Sequence, residues 1–166
     1  MKQITPEEAL MRLKKLCSVC EKCIHDIRQK LIEYKTETSK IDVIIKKLQN
    51  EGFVDDCRFA CFFARTKHNI SKWGKQKIEY QLRTKQIPET VIAKALNEIP
   101  DELYGKTISD ELVKKLKTIK TKATSQSELV AKLMKFALSR GYDSSVSYEI
   151  IKNMVYKQSP ANNDLD

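Results

Sequence analysis

Gly52-Phe53-Val54-Asp55-Asp56-Cys57-Arg58-Phe59-Ala60 opens a stretch that runs through Lys72-Trp73-Gly74-Lys75-Gln76-Lys77-Ile78 to Leu82-Arg83-Thr84-Lys85-Gln86-Ile87. Gly52 closes the helix before it, because glycine turns left-handed at a helix C-terminus without a steric penalty. Asp55 or Asp56 starts the next helix, where a carboxylate accepts free backbone N–H groups and opposes the dipole. Phe59, Phe62 and Phe63 recur at helical spacing and are expected to face a core. After a polar break at Asn69 to Lys72, a second helix carries Ile78 and Leu82 inward. Pro88 opens a third, where its missing N–H does no harm. The stretch reads as a three-helix unit with a basic outer surface.

The flanking sequence has the same character. Residues 6–16 predict a helix capped by Thr5, with Pro6, Glu7 and Glu8 in its first turn and Leu10, Leu13 and Leu16 buried. A break near Ser18 leads to a helix from about Glu21 to Tyr34, with Ile24, Ile27 and Leu31 inward. After the polar link Thr36 to Ser39, a helix from about Lys40 to Asn50 buries Ile41, Ile44, Ile45 and Leu48. Beyond Pro100, a long helix is expected from Asp101 to about Lys122, with Leu103, Ile108, Leu112, Leu116 and Ile119 on its apolar side. Gly105 costs that helix about 1 kcal/mol relative to alanine. Thr124-Ser125-Gln126-Ser127 caps the following helix, which carries Leu129, Val130, Leu133 and Phe136 and stops at Gly141. A last helix runs from about Ser144 to Lys157, and Ser159 to Asp166 form a polar tail.

A repeat emerges when Leu31, Leu82 and Ala137 are aligned, 51 and 55 residues apart in the numbering. Ile27, Ile78 and Leu133 precede these anchors. Ile45, Leu96 and Ile151 follow, then Leu48, Ile99 and Met154. Leu13, Ala64 and Ile119 lie in the helix before. The expected fold is all-α, with three tandem three-helix, helix-turn-helix-like repeats at residues 1–51, 52–100 and 101–158 and a tail at 159–166.

Only four Gly and four Pro in 166 residues favour helix over sheet. No apolar run reaches the length of a bilayer crossing, and Met1 to Glu8 turns acidic without a signal-peptide core. A soluble, cytoplasmic protein is expected. The formal net charge of +9 points to an anionic partner, with a Lys-rich solubility surface as the alternative. Cys17, Cys20 and Cys23 follow a Cys-x2-Cys-x2-Cys pattern but lack a fourth ligand at a usual spacing. Cys57 and Cys61 share a helix face and suit a core. The odd cysteine count argues against a disulfide scaffold, so neither a metal nor a cofactor is expected. His25 and His68 lie far apart, His68 at a helix end where a cation is mildly favoured. The glycines are isolated, and capping accounts for Asp55-Asp56. No catalytic constellation is present, and the chain is not expected to be an enzyme.

The basic residues are the better candidates. Arg65, Lys67, Lys72, Lys75, Lys77, Arg83 and Lys85 face one acid, Glu79, between positions 65 and 85, and Trp73 sits among them. Lysines with an aromatic ring suit nucleic acid, where cations meet phosphate and a ring stacks on a base. Alternatively, Trp73 staples the second helix to the core and the lysines are simply solvated. Lys135 and Arg140 offer a second basic patch. Arg58 is a further candidate, or pairs with an acid of another repeat.

The same central stretch carries a resemblance. Gly52-Phe53-Val54-Asp55-Asp56, Arg58-Phe59-Ala60, Lys72-Trp73-Gly74, Lys77-Ile78, and Leu82 with Lys85 and Ile87 resemble the central segment of the RecX family, regulators of the RecA recombinase. The Leu138-Ser139-Arg140-Gly141-Tyr142 ending is similar too. Cys57 departs from a polar residue, often Glu, and Gln86 from a common Gly. The resemblance implies an elongated, curved body of three modules. It would lie along a groove of the RecA–DNA filament as a monomer and inhibit filament extension, ATP hydrolysis and strand exchange in recombination and the SOS response. Direct contact with single- or double-stranded DNA is a further expectation. The alternative is a nucleic-acid-binding helical module without a recombinase partner.

Overall fold

A computed structural model describes residues 4–119 and 125–156. Among these the chain forms nine α-helices and no strand: α1 (Pro6–Val19), α2 (Ile24–Glu33), α3 (Thr38–Asn50), α4 (Asp56–Asn69), α5 (Lys75–Thr84), α6 (Glu89–Asn97), α7 (Asp101–Ile119), α8 (Gln126–Arg140) and α9 (Ser144–Tyr156). The expected positions Lys122, Thr124 and 159–166 lie outside the described residues.

Several helix starts follow from local chemistry. Thr5 accepts from the Glu8 N–H and Ser125 from the Glu128 N–H. Asp55 Oδ1 accepts from the N–H groups of Cys57 and Arg58, and Asp143 Oδ1 from those of Ser145 and Val146. A side-chain acceptor at this position satisfies donors that the helix itself cannot.

The repeat is written into both burial and turns. Leu31, Leu82, Ala137, Ile27, Ile78 and Leu133 are all fully buried. Ile45, Ile151, Leu48, Ile99, Leu13 and Ala64 are buried, while Leu96, Met154 and Ile119 are half-buried. Four residues after each anchor the backbone turns left-handed, at Lys35 (φ 55°), Gln86 (φ 59°) and Gly141 (φ 77°). The next N–H then reaches back to the anchor's own carbonyl. These bonds are Thr36 to Leu31 at 3.0 Å, Ile87 to Leu82 at 3.1 Å and Tyr142 to Ala137 at 3.0 Å. Each turn buries the residue that follows it. One helix stop is thus used three times, and only the third copy has glycine where glycine is the unstrained choice. Gln86 adopts the left-handed turn without it.

A left-handed non-glycine residue costs about 1–2 kcal/mol, offset in a glycine variant by about 0.5–1 kcal/mol of extra unfolded-chain entropy. Gln86→Gly should therefore stabilise the protein by about 0.5–1 kcal/mol. A rise in the urea midpoint with an unchanged slope checks this; a fall would mean that the Gln86 side chain makes a contact worth more than the relief of its φ.

The chain divides into two compact units, one comprising the chain up to Arg65 with Tyr80–Glu98, the other Thr66–Glu79 with the chain from Ile99 onward. The division passes within α4 and α5. In the first unit, Ala9, Leu13, Ile27, Leu31, Ile41, Ile44, Ile45, Leu48 and Val54 form one core between α1, α2 and α3. In the second, α7, α8 and α9 pack on one another around Ile108, Leu112, Leu133, Ala137, Tyr142 and Ile151. Each large side chain buried there contributes about 1.5–3 kcal/mol relative to exposure.

Some expectations are corrected. Helix α1 continues to Val19, so Ser18 is helical and the break falls at Cys20 to Cys23. Helix α2 then begins at Ile24 rather than Glu21, and α3 at Thr38 rather than Lys40. Phe62 is 49% exposed. Phe59, Ala60 and Ala64 take the buried stripe of α4, and position 62 points away from it. Leu103 is likewise exposed, because Tyr104, Thr107 and Ile108 occupy the inner face of α7.

Candidate functional site

The second unit holds the richest arrangement of basic and aromatic groups, at the link between α4 and α5. Lys72 turns left-handed there (φ 54°), and the surrounding bonds hold the turn in place. The Trp73 N–H donates to the Lys67 carbonyl at 3.1 Å, the Tyr142 hydroxyl to the Lys72 carbonyl at 2.7 Å, and the Arg140 guanidinium to the Ser71 carbonyl at 3.2 Å. The start of α5 meets the end of α8 backbone to backbone. Gly74 N–H donates to the Arg140 carbonyl at 2.8 Å, and Gln76 N–H to the Gly141 carbonyl at 3.1 Å. Amide donors free at one helix start are thereby paired with carbonyls free at another helix end, a favourable opposition of dipoles.

On this frame Trp73 is half-buried, and the ammonium groups of Lys67 and Lys77 each lie 4.8 Å from its ring centroid. Such contacts contribute about 0.5–1 kcal/mol at exposed sites. The cations take up ring surface that a stacked base would need, so the indole acts as their anchor. Lys77 Nζ also donates to the Ser139 carbonyl at 3.3 Å. Lys75 pairs with Asp101 at 2.8 Å and lies over the Tyr104 ring.

The basic surface continues along α7 and α8. An open depression of about 330 Å³ is lined by Lys115, Ile119, Lys132, Lys135, Phe136 and Ser139. Lys115 Nζ lies 5.6 Å and the Arg140 guanidinium 5.3 Å from the Phe136 centroid. Lys132 is paired with Glu128 at 2.7 Å. Cations around an apolar floor suit an anionic partner with some apolar surface. Lys115 escaped the sequence reading because it lies on α7, a helix away from Lys135 and Arg140; Lys132 lies on α8 with them and was missed although it is one turn from Lys135. Pairing the charged edges of successive amphipathic helices would have found both.

The remaining candidates lie in the first unit, each against a carboxylate. Arg58 Nε donates to Glu21 at 2.8 Å, and its second nitrogen reaches the Gly52 carbonyl at 3.1 Å. Arg65 approaches Glu98 at 3.7 Å, Arg83 grips both oxygens of Glu89 at 2.7 and 3.0 Å, and Lys85 meets Asp26 at 2.7 Å. Glu21 belongs to the first repeat, which is the alternative foreseen for Arg58. Reversing Lys85 to an acid would set it against Asp26.

His68 differs from expectation in burial and charge. It stands in the last turn of α4, as expected, but is 1% exposed, a buried imidazole rather than a cation. Its Nδ1–H donates to the Trp73 carbonyl at 3.1 Å, and Nε2 accepts from the Thr107 hydroxyl at 3.3 Å. Burial lowers its pKa below the ordinary 6.5, the Trp73 carbonyl opposes this, and Lys72 and Lys75 add to the lowering. The folded protein therefore holds His68 neutral where an unfolded chain would already be protonated. Stability is expected to be intact above pH 6.5 and to fall as the pH drops below it, levelling once the folded pKa is passed. In urea titrations from pH 7.5 to 5, His68→Gln should lose the part of this slope near pH 6. An identical slope in the variant would assign the dependence to other groups.

The cysteines offer little reactive chemistry. Burial pushes the Cys23 and Cys61 thiols up to about 11, and Cys17 is also raised. Cys20 is exposed. Among the described residues no three His, Cys, Asp or Glu side chains converge as metal ligands, and no helix is long and apolar enough to cross a membrane.

These features define a helical-repeat protein whose three-helix units share one turn and whose best-built surface is basic and aromatic. Comparison with known proteins agrees. The second three-helix domain of RecX matches residues 55–96. Regulatory protein RecX of Clostridium beijerinckii is 30% identical over 149 residues, covering 90% of this chain and 68% of that one. Its counterpart from Clostridium acetobutylicum is 32% identical over 131 residues, covering 78% and 60%. A crystal structure of regulatory protein RecX superposes with a TM-score of 0.79 at 27% identity, over 89% of this chain and 71% of that one. RecX from Lactobacillus salivarius shares the fold, with a TM-score of 0.78 at 19% identity over 90% of this chain and 96% of that one. The chain belongs to the RecX family.

Proposed function

We propose that the chain regulates the RecA recombinase by binding its nucleoprotein filament and restraining filament extension, ATP hydrolysis and strand exchange in recombination and the SOS response. It acts as a monomeric, cytoplasmic, non-catalytic binding protein with repeats at 1–51, 52–100 and 101–158. The observation that carries this reading is the match along 90% of the chain to a regulatory protein RecX. The basic surface of the second unit supports it, since a nucleoprotein partner is strongly anionic. Of the candidate contacts, Lys72, Lys77, Lys135 and Arg140 stand foremost, with Trp73 anchoring Lys67 and Lys77. Arg58, Arg65, Lys75, Arg83 and Lys85 approach the partner only by loosening an existing pair.

A second reading, nucleic-acid binding without a recombinase, is favoured by the lysine-lined depression beside Phe136. Salt separates the two. Binding to single-stranded DNA is measured bare and coated with recombinase, at two salt concentrations, with ATP hydrolysis followed in the same samples. Preferential binding to the coated strand, retained at the higher salt with hydrolysis suppressed, is expected. Binding only to bare DNA, lost at the higher salt through counterion uptake, with hydrolysis unchanged, would replace the first reading by the second.

A further inference from the structure

The depression along α7 and α8 gathers cations that no carboxylate of the same surface neutralises. Ile119 and Phe136 are half-buried and form its apolar floor, within a volume of about 330 Å³. Lys132 is taken up by Glu128. Among the described residues, no acid pairs with Lys115, Lys135 or Arg140. Lys115 and Arg140 instead lie over the Phe136 ring, and Lys135 is exposed one residue before it. Like charges gathered around one ring repel each other, and an open apolar floor gains by being covered.

The chain itself carries a group of the complementary kind. Residues 157–166, Lys-Gln-Ser-Pro-Ala-Asn-Asn-Asp-Leu-Asp, follow α9 and lie outside the described residues. After Lys157 the only charged side chains in this segment are Asp164 and Asp166, and the only large apolar one is Leu165 between them. A leucine flanked by two carboxylates matches an apolar floor rimmed by ammonium groups. The flexible four-carbon stems of the lysines let their heads meet carboxylates that stand above the leucine. Reach is sufficient. From Tyr156 to Leu165 the chain spans up to about 30 Å, against a radius of gyration of about 12 Å for a body the size of the second unit.

We propose that Asp164-Leu165-Asp166 seats in this depression, with Leu165 on Ile119 and Phe136 and the two carboxylates on Lys115 and Lys135, and that a phosphate-bearing ligand must displace it. Tethering gives the segment an effective concentration of order millimolar, so contacts too weak to hold a free peptide hold this one. The segment thereby lowers the affinity of the basic surface for nucleic acid. The proposal goes beyond the filament reading and needs no recombinase.

The test uses the full chain. Nuclear Overhauser contacts are sought between the Leu165 methyl groups and the Phe136 ring. They should be present in the unaltered protein and lost both in Asp164→Lys with Asp166→Lys and in Lys115→Glu with Lys135→Glu. Combining the four substitutions exchanges the charges and should bring the contacts back. Melting temperatures confirm that each variant is folded, and the first pair lies outside every helix. Binding of a short oligothymidylate is then compared between the unaltered chain and Leu165→Ser, which leaves the net charge unchanged. Leu165→Ser should bind about 3–10-fold more tightly, the gain expected when a weakly held tethered competitor is removed. Absence of the contacts in the unaltered chain would overturn the seating. Contacts found only between differently labelled chains would assign the depression to the segment of a second copy and overturn the intramolecular seating. Failure of the fourfold variant to regain them would overturn the charge pairing. Equal oligothymidylate binding by the two chains, or none by either, would overturn the competition. None of these outcomes bears on the filament reading, which is tested with recombinase present.

Discussion

Gly74→Ala is expected to unfold or severely loosen the second unit, with a loss of about 3 kcal/mol or more. A Cβ at position 74 would lie 2.0 Å from the Gly141 carbonyl oxygen, 2.2 Å from its carbon and 2.5 Å from the Tyr142 nitrogen. All three are backbone atoms, so no side chain can swing aside. Relief requires parting the start of α5 from the end of α8, which breaks the bonds from Gly74 N–H to Arg140 and from Gln76 N–H to Gly141. Gly141 is constrained from the other side, since its own Cβ would meet the Lys77 backbone nitrogen at 2.4 Å. For a domain whose total stability is of order 5–15 kcal/mol, such a loss is large. Urea titration gives its size, and hydrogen exchange at Gly74 and Gln76 its location. Gly105→Ala is the internal comparison: a Cβ there meets nothing within 4 Å, and helix propensity should make that change stabilising by about 1 kcal/mol. A midpoint for Gly74→Ala equal to that of the unaltered chain would show that the two backbones do not meet as described.

This contact also shows where the sequence was readable. Helix identity followed from apolar period and caps. Thr5, Asp55, Ser125 and the stop at Gly141 are local signals, and local signals survive in a linear string. The repeat was visible because Leu31, Leu82 and Ala137 recur with their neighbours. The close approach of Gly74 to Gly141 joins positions 67 apart, and no local pattern announces that pairing. Gln86 illustrates a different limit. A glycine marks a left-handed turn, but a glutamine held left-handed by its neighbours carries no such mark, and the family comparison alone suggested where to look. Of the candidate site residues, all are basic or aromatic as read. What the string could not tell was their partners: four of them face Glu21, Glu98, Glu89 and Asp26, while Lys67 and Lys77 share Trp73. His68 stands at its expected helix end, but its burial was not legible, because Thr107 of α7, which closes over it, lies 39 positions away.

Tyr142 should separate stability from binding at this surface. The side chain is fully buried, and its hydroxyl donates to the Lys72 carbonyl at 2.7 Å. Burial pushes its pKa well above the ordinary tyrosine value, so the hydroxyl remains a donor throughout the working pH range. Tyr142→Ala should lose about 3–5 kcal/mol, the usual range for removing a large buried ring. Tyr142→Phe keeps the ring and removes only the donor, leaving the Lys72 carbonyl without this partner. Its loss should be about 1–2 kcal/mol, small enough for the fold to persist. The consequence for binding is less small. Lys72 is held at a positive φ, a conformation that persists only where the surroundings over-determine it. Without the Tyr142 bond, Lys72 can relax, and the link that positions Trp73 with Lys67 and Lys77 loosens. Tyr142→Phe is therefore expected to remain folded at 25 °C yet bind recombinase-coated DNA several-fold more weakly, with a larger share of the loss appearing in the dissociation rate. A folded Tyr142→Phe variant with unaltered affinity and dissociation would show that the filament does not use this link, and would move the contact to the depression beside Phe136.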